Sequence, residues 1–237
     1  MKKNLIEEIA KDYDISKDFD LVNTKFATDL ILPFCNNRIV LEVGCATGEM
    51  TKELAKVCRK LVVIEPSIRY CQNLDSYGLD IDIHNCFFEE FESKDRFDIV
   101  ILASLLHHIE APGNFLQLVK EKLKDEGFIL ATVPNMHSLH RRIGVKAELL
   151  ENIHSSTERN ISFGQYGRFT KESFKELFKQ SGFKIHECFG YMLKPFSSSQ
   201  MQSLNLPINI YQALFELGKE FEELSSQLFI RVSKKAV

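Results

Sequence analysis

The sequence predicts an α/β protein in which a mostly parallel sheet lies between two layers of helices. Short apolar runs rich in β-branched residues alternate along the chain with segments whose apolar residues recur at helical spacing. One run, 97–103, is almost entirely apolar, as a strand buried on both faces of a parallel sheet requires. Another, 39–43, stops at a Gly-x-x-x-Gly turn before a helical segment. A chain of 237 residues suits one such domain with a small appendage.

The composition indicates which class of protein this is and which partners it is expected to lack. Hydrophobic residues make up 44% and charged residues 27%, as in ordinary globular proteins. The net charge of -3 gives no general reason to expect a nucleic acid or an anionic membrane as partner. The six cysteines form no Cys-x-x-Cys pair, which indicates neither a zinc site nor a disulfide framework. Without a signal-like amino terminus or a run of about 18 apolar residues, we expect a cytoplasmic protein that does not insert into membranes.

The individual elements follow from apolar spacing and from residues that begin or end helices. A helix is predicted over 20–32, ending near Pro33. Ser67 and Thr170 are predicted N-caps, because a hydroxyl there accepts a hydrogen bond from a free amide of the first turn. We predict strands at 39–43, 61–64, 81–85, 97–103, 127–133, 183–189 and 227–232, and further helices near 50–57, 67–74, 114–124, 171–180 and 210–221.

The turn after the first strand has the features of a ligand cradle. Gly44 lets the chain leave the strand in a conformation that a Cβ would resist, and Gly48 leaves room for a bound molecule. Glu65 ends the second strand, 21 positions after Gly44. An acidic residue at a spacing of about 20 accepts the ribose hydroxyls of an adenosine, so we expect an adenosine-containing ligand. The alternative is a glycine turn without a ligand.

The loop between the two glycines favours a cationic ligand. Ala46 stands where a dinucleotide-binding loop has its middle glycine, and Glu42 adds negative charge where a pyrophosphate would need positive potential. S-adenosylmethionine carries a sulfonium and an ammonium beside its adenosine. A carboxylate at Glu42 and the carbonyls around Gly44 complement those charges, so S-adenosylmethionine is favoured over a dinucleotide.

Four segments in order, 40–51, 62–67, 97–112 and 123–135, resemble the successive motifs of the seven-stranded S-adenosylmethionine-dependent methyltransferases (class I). The resemblance implies a three-layer, Rossmann-like sheet of order 3-2-1-4-5-7-6 with a small helical cap. It also implies three regions: an amino-terminal helical lid over 1–37, a cofactor-binding core over 38–135, 170–190 and 227–237, and acceptor-binding cap insertions over 136–169 and 191–226.

The resemblance also implies which residues bind the cofactor, with S-adenosylhomocysteine as the product. Tyr13 is a lid candidate, although an exposed tyrosine on an edge helix is the alternative. Phe87 would pack on the adenine, while core packing explains one of the two neighbouring phenylalanines. The predicted cofactor residues are Glu42, Gly44, Cys45, Ala46, Gly48, Glu65, Pro66, Cys86, Phe87, Ala103, Ser104, Leu105 and Tyr13.

Two histidines follow the fourth strand, where a parallel sheet places its ligands. His108 matches the position at which the ubiquinone-type O-methyltransferases carry a histidine facing the methyl group, so it is favoured over His107 as a general base. An imidazole can take a proton from a hydroxyl or an ammonium as attack begins. The alternative is that His108 only holds its loop in place by a hydrogen bond.

The insertion 136–169 is longer than an ordinary connection, and long loops at this edge carry specificity. Arginine side chains suit a phosphate or carboxylate, which predicts an anionic acceptor. Alternatively, these are solvated charges on a helix that buries Ile143 and Leu149 on its other face. The segment also resembles a methyltransferase branch associated with surface-polysaccharide and nucleotide-sugar pathways, although 165–167 departs from its pattern. The predicted acceptor-binding residues are Asn135, His140, Arg141, Arg142, Tyr166, Arg168 and Lys194.

Three functions are compatible with these patterns. The first is an O- or N-methyltransferase acting on a small anionic acceptor, such as a nucleotide-linked sugar or another phosphorylated precursor. The second is a quinone-type O-methyltransferase with a lipophilic acceptor, favoured if Phe163, Phe169, Tyr191 and Phe196 face inward. The third is a non-catalytic S-adenosylmethionine-binding protein. No metal is required, no nucleic acid is expected, and both a monomer and a homodimer are open.

Overall fold

The computed structural model describes residues 2–15 and 19–235 and forms one seven-stranded sheet between two layers of helices. The strands are β1 (Ile39–Val43), β2 (Lys60–Ile64), β3 (Asp82–His84), β4 (Phe97–Ala103), β5 (Leu123–Pro134), β6 (Phe183–Tyr191) and β7 (Gln227–Lys234). All seven strands that the sequence predicts are present. Most are longer than predicted, and β3 is shorter.

The strand order is β3-β2-β1-β4-β5-β7-β6, which confirms the predicted order. β1 pairs in parallel with both β2 and β4, and β7 pairs antiparallel with both β5 and β6. The order therefore reverses between β1 and β4, where Glu42 lies opposite Ile101. The loops that follow these two strands meet there, and a ligand of an open α/β sheet binds at this point.

The helices are α1 (Lys2–Asp12), α2 (Asp20–Cys35), α3 (Glu49–Val57), α4 (Ile68–Ser76), α5 (Pro112–Lys122), α6 (Leu139–Lys146), α7 (Glu158–Ser162), α8 (Lys171–Gln180), α9 (Ser198–Ser203) and α10 (Ile208–Glu220). α2 continues past Pro33, contrary to the prediction. Pro33 lies in the last turn, where its missing amide costs one hydrogen bond, and the extra turn buries Cys35 beneath Ile31. Ser67 and Thr170 accept the predicted N-cap bonds.

Two apolar cores fill the space between the sheet and its two layers of helices. On one face α2, α3, α4 and α10 contribute, and Phe26 stacks on Phe215 at 4.6 Å. On the other face α5 and α8 contribute Phe115, Phe174 and Phe178. α10 belongs to a predicted cap segment, yet it packs into the core: a Cβ at Gly218 would lie 2.2 Å from the Met192 amide nitrogen.

The expected buried face of α6 is wrong. The only residue of α6 that is buried is Gly144, while Ile143 is 39% and Leu149 77% exposed. The partly covered face of α6 is instead formed by His140, Arg141, Gly144 and Val145, and the Leu150 side chain packs over Gly144. Within the part of the chain that the structure describes, no helix is long and apolar enough to cross a membrane.

Candidate active site

The glycine loop after β1 has three residues with left-handed backbone angles. Gly44 has φ 77°, Ala46 φ 47° and Gly48 φ 81°. A Cβ at Gly48 would lie 2.3 Å from Leu74 Cδ2, so the space beside this glycine is filled by α4. The structure thus gives Gly48 a packing role, whereas the sequence suggested room for a ligand. A Cβ at Gly44 would meet Leu105 at 3.5 Å, which places the loop after β4 beside it.

Glu65 connects the ends of β1 and β2. Its Oε2 accepts the amides of Cys45 at 3.1 Å and Ala46 at 3.2 Å, and its Oε1 accepts the Ser67 amide at 2.9 Å. The residue is 4% exposed; burial raises its pKa, and the amide bonds work against that rise. The predicted ribose-binding carboxylate therefore lies against the glycine loop, held in one orientation by backbone donors.

Glu42 lies in β1 with 2% of its surface exposed. Burial raises the pKa of its carboxyl to about 8, although the Thr51 hydroxyl donates to it at 2.8 Å. The group is therefore mostly protonated at neutral pH. A cation placed beside it would lower that pKa and bring out the negative charge.

Of the two phenylalanines in the turn after β3, one packs in the core and the other does not, as predicted. Phe88 is buried and packs on Phe115 with 5.0 Å between ring centroids. Phe87 and Cys86 are half-buried, and Pro66 of the neighbouring turn is half-buried as well. A side chain that is not fully buried in the core can contact a ligand. Phe87 therefore remains the candidate for packing on the adenine ring.

The turn after β4 is held by its neighbour strand. The Ser104 amide donates to both the carbonyl and the hydroxyl of Thr132 at 3.0 Å, and Ser104 has φ 50°. A left-handed conformation costs a serine about 1–3 kcal/mol, so these bonds are needed to keep it. These bonds fix the turn formed by Ala103, Ser104 and Leu105, which lies beside the glycine loop.

His107 and His108 follow this turn with their ring centroids 4.2 Å apart. His107 is 4% exposed, and its carbonyl accepts the amides of Tyr166 and Gly167 at 2.9 Å. Its Nδ1 has no hydrogen-bond partner among the described residues. Burial holds the pKa of His107 well below its usual 6.5, so the ring is neutral at physiological pH.

His108 Nδ1 lies 3.0 Å from the Phe163 carbonyl oxygen. Because a carbonyl only accepts, Nδ1 carries the proton and Nε2 carries the lone pair. Burial lowers the pKa of His108. The hydrogen bond therefore connects the His108 loop to the insertion and leaves the lone pair on the other ring nitrogen, while the role of His108 as a base stays a prediction. The two roles are compatible in one tautomer.

Comparison with known proteins places this geometry in a family. A family described as a methyltransferase domain matches residues 21–188, well over half of the chain. The chain belongs to the class I S-adenosylmethionine-dependent methyltransferases. This confirms the resemblance, the fold and the kind of enzyme that the sequence predicts.

The curated relatives of this methyltransferase include ubiquinone biosynthesis O-methyltransferases from several organisms. The mitochondrial protein of Bos taurus is 24% identical over 212 residues, covering 79% of this chain and 56% of the relative. That of Nitrobacter winogradskyi is 22% identical, covering 72% and 66%. The chain thus spans between half and two thirds of their length. Ribosomal RNA small subunit methyltransferase A of Bacillus thuringiensis is 33% identical, but covers only 38% of the chain.

Solved structures support the fold of the methyltransferase. The N-methyltransferase NodS of Bradyrhizobium japonicum, solved with S-adenosylhomocysteine, superimposes with a TM-score of 0.59 at 15% identity, over 92% of this chain and 88% of its own. The 1,6-didemethyltoxoflavin-N1-methyltransferase of Burkholderia thailandensis gives 0.58 at 14% identity, over 90% and 78%.

The first helix, α1, lies over the start of α4 and beside the glycine loop. Glu7 accepts the Ile68 amide at 2.7 Å and the Ser67 hydroxyl at 3.1 Å, directly after Glu65. A cavity of about 330 Å³ lies between α1, α4 and the glycine loop, where Thr47 has a buried hydroxyl without a partner among the described residues. Nothing in the sequence marks Glu7 or Thr47 for these positions.

Tyr13 connects the segment after α1 to the insertion. Its hydroxyl donates to Asp20 at 2.7 Å, and its ring packs edge-on against Phe163 at 5.0 Å. Arg159 pairs with the same Asp20 carboxylate at 2.8 Å and lies 4.9 Å from the Phe163 ring. Phe163 therefore connects Tyr13 with His108. The alternative of an exposed tyrosine on an edge helix does not fit these contacts.

The arginines predicted to bind the acceptor contact the chain of the insertion itself. Arg141 donates to the carbonyls of Ile153 and Ser155, and Arg142 to that of His137. Arg168 donates to the His154 carbonyl, to Tyr166 and to the Ser156 hydroxyl. These bonds connect distant parts of the insertion, and binding of an acceptor by the arginines stays a prediction.

The remaining predicted acceptor residues occupy two environments. Tyr166 is 53% exposed. Asn135 is buried and follows the last residue of β5. Its side chain donates to the Ser225 carbonyl at 2.9 Å and accepts from the His137 amide at 3.0 Å. His140 is half-buried and lies close to Lys194, which is 6% exposed. Whether any of these residues touches an acceptor stays a prediction.

Proposed function

We propose that the protein transfers the methyl group of S-adenosylmethionine to an oxygen of a small-molecule acceptor. The observation that carries this proposal is the Phe163–His108 hydrogen bond, which leaves the Nε2 lone pair of a neutral imidazole beside the loop after β4. A neutral base of this kind suits removal of a proton from a hydroxyl. The relatives named O-methyltransferases support oxygen as the acceptor atom.

The cofactor would lie across the ends of β1 and β2. In this arrangement Glu65 accepts the ribose hydroxyls, Phe87 packs on the adenine, and the loop from Gly44 to Ala46 surrounds the methionine. Glu42 would be the carboxylate nearest the cationic end. Its burial makes the interaction strong, because the electrostatic attraction is screened little there.

The reaction is an in-line displacement. The acceptor oxygen forms a bond to the methyl carbon as the carbon–sulfur bond breaks, and its electron pair stays on sulfur, giving S-adenosylhomocysteine. The acceptor proton passes to His108 Nε2 and then to water. Holding the nucleophile, the methyl carbon and sulfur in line supplies the larger share of the barrier reduction, roughly 7 to 11 kcal/mol. Proton removal by His108 accelerates the reaction further, by roughly a hundred- to ten-thousandfold.

The lid and the cap would enclose the acceptor. Tyr13, Asp20, Arg159 and Phe163 join the amino-terminal segment to the insertion above His108, and this supports a lid over 1–37 and an acceptor-binding cap over 136–169 and 191–226. α10 would belong to the core rather than to the cap.

Two acceptor classes remain candidates. A lipophilic, quinone-type hydroxyl compound is supported by the names of the relatives and by Phe163, which packs on Tyr13. Phe169 and Tyr191 belong to the two apolar cores, and Phe196 is 45% exposed, so these three rings give it no support. An anionic precursor such as a nucleotide-linked sugar is supported by the buried Lys194. Arg141, Arg142 and Arg168 also remain candidates for this class, although each already donates to a carbonyl of 137–166.

The proposal is tested in two steps. Titration calorimetry with S-adenosylhomocysteine, with NADH as control, should give micromolar binding of the first ligand only. Transfer of a labelled methyl group is then assayed with phenolic hydroxyl compounds and phosphorylated sugars. Binding of S-adenosylhomocysteine without turnover of either class would favour the non-catalytic alternative, and binding of NADH would overturn the cofactor assignment.

A further inference from the structure

The hydrogen-bond partner of His108 Nδ1 belongs to the insertion. Phe163, whose carbonyl oxygen lies 3.0 Å from Nδ1, is 55 residues further along the chain. A neutral imidazole carries one proton on either ring nitrogen, and the partner of one nitrogen decides where that proton lies. A carbonyl at Nδ1 keeps the proton there and leaves the lone pair on Nε2. The position of Phe163 therefore decides which nitrogen of His108 can accept a proton.

Phe163 directly follows α7, a helix that is weak by itself. α7 has five residues, Glu158–Ser162, and all of them are partly or fully exposed. A helix of little more than one turn is unstable without tertiary contacts. The N-cap Thr157 bonds to Asn160 of the same turn, so it orders α7 but does not connect it to the sheet. Contacts with other parts of the molecule must fix the Phe163 carbonyl.

Arg159 makes such a contact with the core. Its Nη2 donates to Asp20 Oδ2 at 2.8 Å, and its guanidinium lies 4.9 Å from the centre of the Phe163 ring. The Phe163 amide also donates to the Arg159 carbonyl at 3.1 Å. Asp20 begins α2, whose Phe26 and Ile31 are completely buried. Arg159 thus contacts both the ring and the main chain of Phe163 and connects them to a helix of the core.

Two further contacts fix the neighbourhood of Phe163. The Tyr13 hydroxyl donates to the same Asp20 carboxylate, and the Tyr13 ring packs on Phe163. Three and four residues after Phe163, the amides of Tyr166 and Gly167 donate to the His107 carbonyl. The Phe163 carbonyl therefore lies between two anchors, the Asp20 pair before it and the histidine turn after it.

We propose that Arg159 is a positioning residue for methyl transfer: its ion pair with Asp20 holds the Phe163 carbonyl on His108 Nδ1 and so keeps a lone pair on Nε2. In this role Arg159 acts through Phe163 and not by contact with the reacting atoms. The inference rests on the proposed role of His108 as the base, but the tautomer itself is measured without turnover. The Arg159 side chain is 40% and that of Asp20 30% exposed, so loss of the pair should leave the protein folded.

Long-range proton–nitrogen NMR spectra of the protein with isotope-labelled histidine test the inference, because each ring nitrogen gives a different signal with and without a proton. The protein is loaded with S-adenosylhomocysteine, and the His108 signals are identified by their absence in His108→Asn. We expect the Nδ1–H form in the wild type and in Arg159→Lys, which keeps the charge. Arg159→Met and Asp20→Asn should shift the ratio of the two forms toward Nε2–H by about fivefold or more.

Arg231→Met is the matched control. Arg231 also pairs with a carboxylate, that of Glu187 at 2.5 Å, and its guanidinium also lies 4.9 Å from the centre of a phenylalanine ring, that of Phe34. It belongs to β7 and not to the insertion, so its replacement should leave the His108 signals unchanged. Unchanged signals of His84 and His186 in the sheet show that Arg159→Met is folded.

The outcomes separate this inference from the proposed function. The inference is overturned if His108 keeps the Nδ1–H form in Arg159→Met and Asp20→Asn, or if Arg231→Met shifts the tautomer equally. If the tautomer shifts while an acceptor is methylated at the wild-type kcat, the base role of His108 fails and the effect of Arg159 on the tautomer stands. A kcat that falls in proportion to the lost Nδ1–H form, and that Arg159→Lys restores, supports both.

Discussion

Ala46 and Glu65 are 19 residues apart in the chain, and the Ala46 amide donates to the Glu65 carboxylate at 3.2 Å. Ala46 has a left-handed backbone angle that costs an alanine about 1–3 kcal/mol. The carboxylate offsets that cost by fixing the amides of Cys45 and Ala46 in one direction. Glu65 therefore shapes the glycine loop even before a cofactor arrives, in addition to its proposed contact with the ribose.

The first prediction concerns Glu65. Glu65→Gln should weaken S-adenosylhomocysteine binding at least tenfold, because hydrogen bonds to a charged group contribute about 1.5–3 kcal/mol. The glutamine side chain also accepts less strongly than a carboxylate from the backbone amides of the glycine loop. Titration calorimetry measures the change. Glu49→Gln is the control, because Glu49 pairs with Lys52 within α3 and its replacement should leave the affinity within twofold. Equal affinities for wild type and Glu65→Gln would contradict the cofactor assignment.

The second prediction concerns pH and the buried Glu42. Its carboxyl has a pKa of about 8, so below that pH the empty site holds a proton that a cationic cofactor displaces. The affinity for S-adenosylmethionine should therefore rise between pH 6 and 8, by up to about tenfold per pH unit, and level off above 8. Calorimetry in buffers of different ionisation enthalpy should detect proton release. The rise should be absent in Glu42→Gln; the same slope in both proteins would show that Glu42 keeps its proton.

The third prediction separates the two roles of His108. Asparagine can donate to the Phe163 carbonyl as Nδ1 does, but it cannot accept a proton as a base. His108→Asn should keep the affinity for S-adenosylhomocysteine and lose roughly a hundred- to ten-thousandfold in kcat, while His108→Ala should also loosen the insertion. Because burial lowers the pKa of His108 below 6.5, kcat of the wild type should be flat above pH 7. Full activity of His108→Asn would limit the residue to its structural role.

The fourth prediction concerns Gly48. Gly48→Ala should lower the free energy of unfolding by about 1–3 kcal/mol, since the new methyl group would lie 2.3 Å from Leu74 Cδ2. Urea denaturation measures it. Gly113→Ala is the control, because a Cβ there meets nothing within 4 Å in α5 and should add about 0.4–1 kcal/mol. Normal stability with lost cofactor binding would instead favour the ligand-contact role.

The fifth prediction concerns Arg141. Lysine cannot reproduce its planar donors to Ile153 and Ser155, so Arg141→Lys should lower the free energy of unfolding by about 1–3 kcal/mol and speed proteolysis near 147–157. Arg142→Lys, which loses a single bond on an exposed side chain, should stay within about 0.5 kcal/mol. A raised KM at unchanged stability would return Arg141 to acceptor binding.

The parts of the fold that the sequence predicts correctly depend on local signals. Gly44, the spacing to Glu65 and the apolar run of β4 each lie within one short segment, so periodicity and turn chemistry are sufficient to find them. The strand order came from the succession of four such motifs. Thr170 illustrates the same point, because a cap and its helix are neighbours in the chain.

The incorrect or missing assignments depend on contacts between distant residues. Glu7 caps a helix 61 residues away, and Arg159 pairs with Asp20 across 139 residues. Likewise, residue type alone does not show that Arg141 donates to the Ile153 carbonyl, 12 residues away. The apolar residues Ile143 and Leu149 have the period of a buried helix face, but the packing of distant residues covers the His140 and Gly144 side of α6 instead.

The antiparallel position of β7 also has a consequence for how the molecule is made on the ribosome. β6 is an edge strand, and within the described chain its sheet neighbour is β7 alone. β1 to β5 can assemble around the cofactor loops as soon as they emerge, whereas 183–191 has no strand to pair with until Gln227–Lys234 has been synthesised. The pairings of β7 with both neighbours, and the loops around Lys194 that depend on them, are therefore completed last.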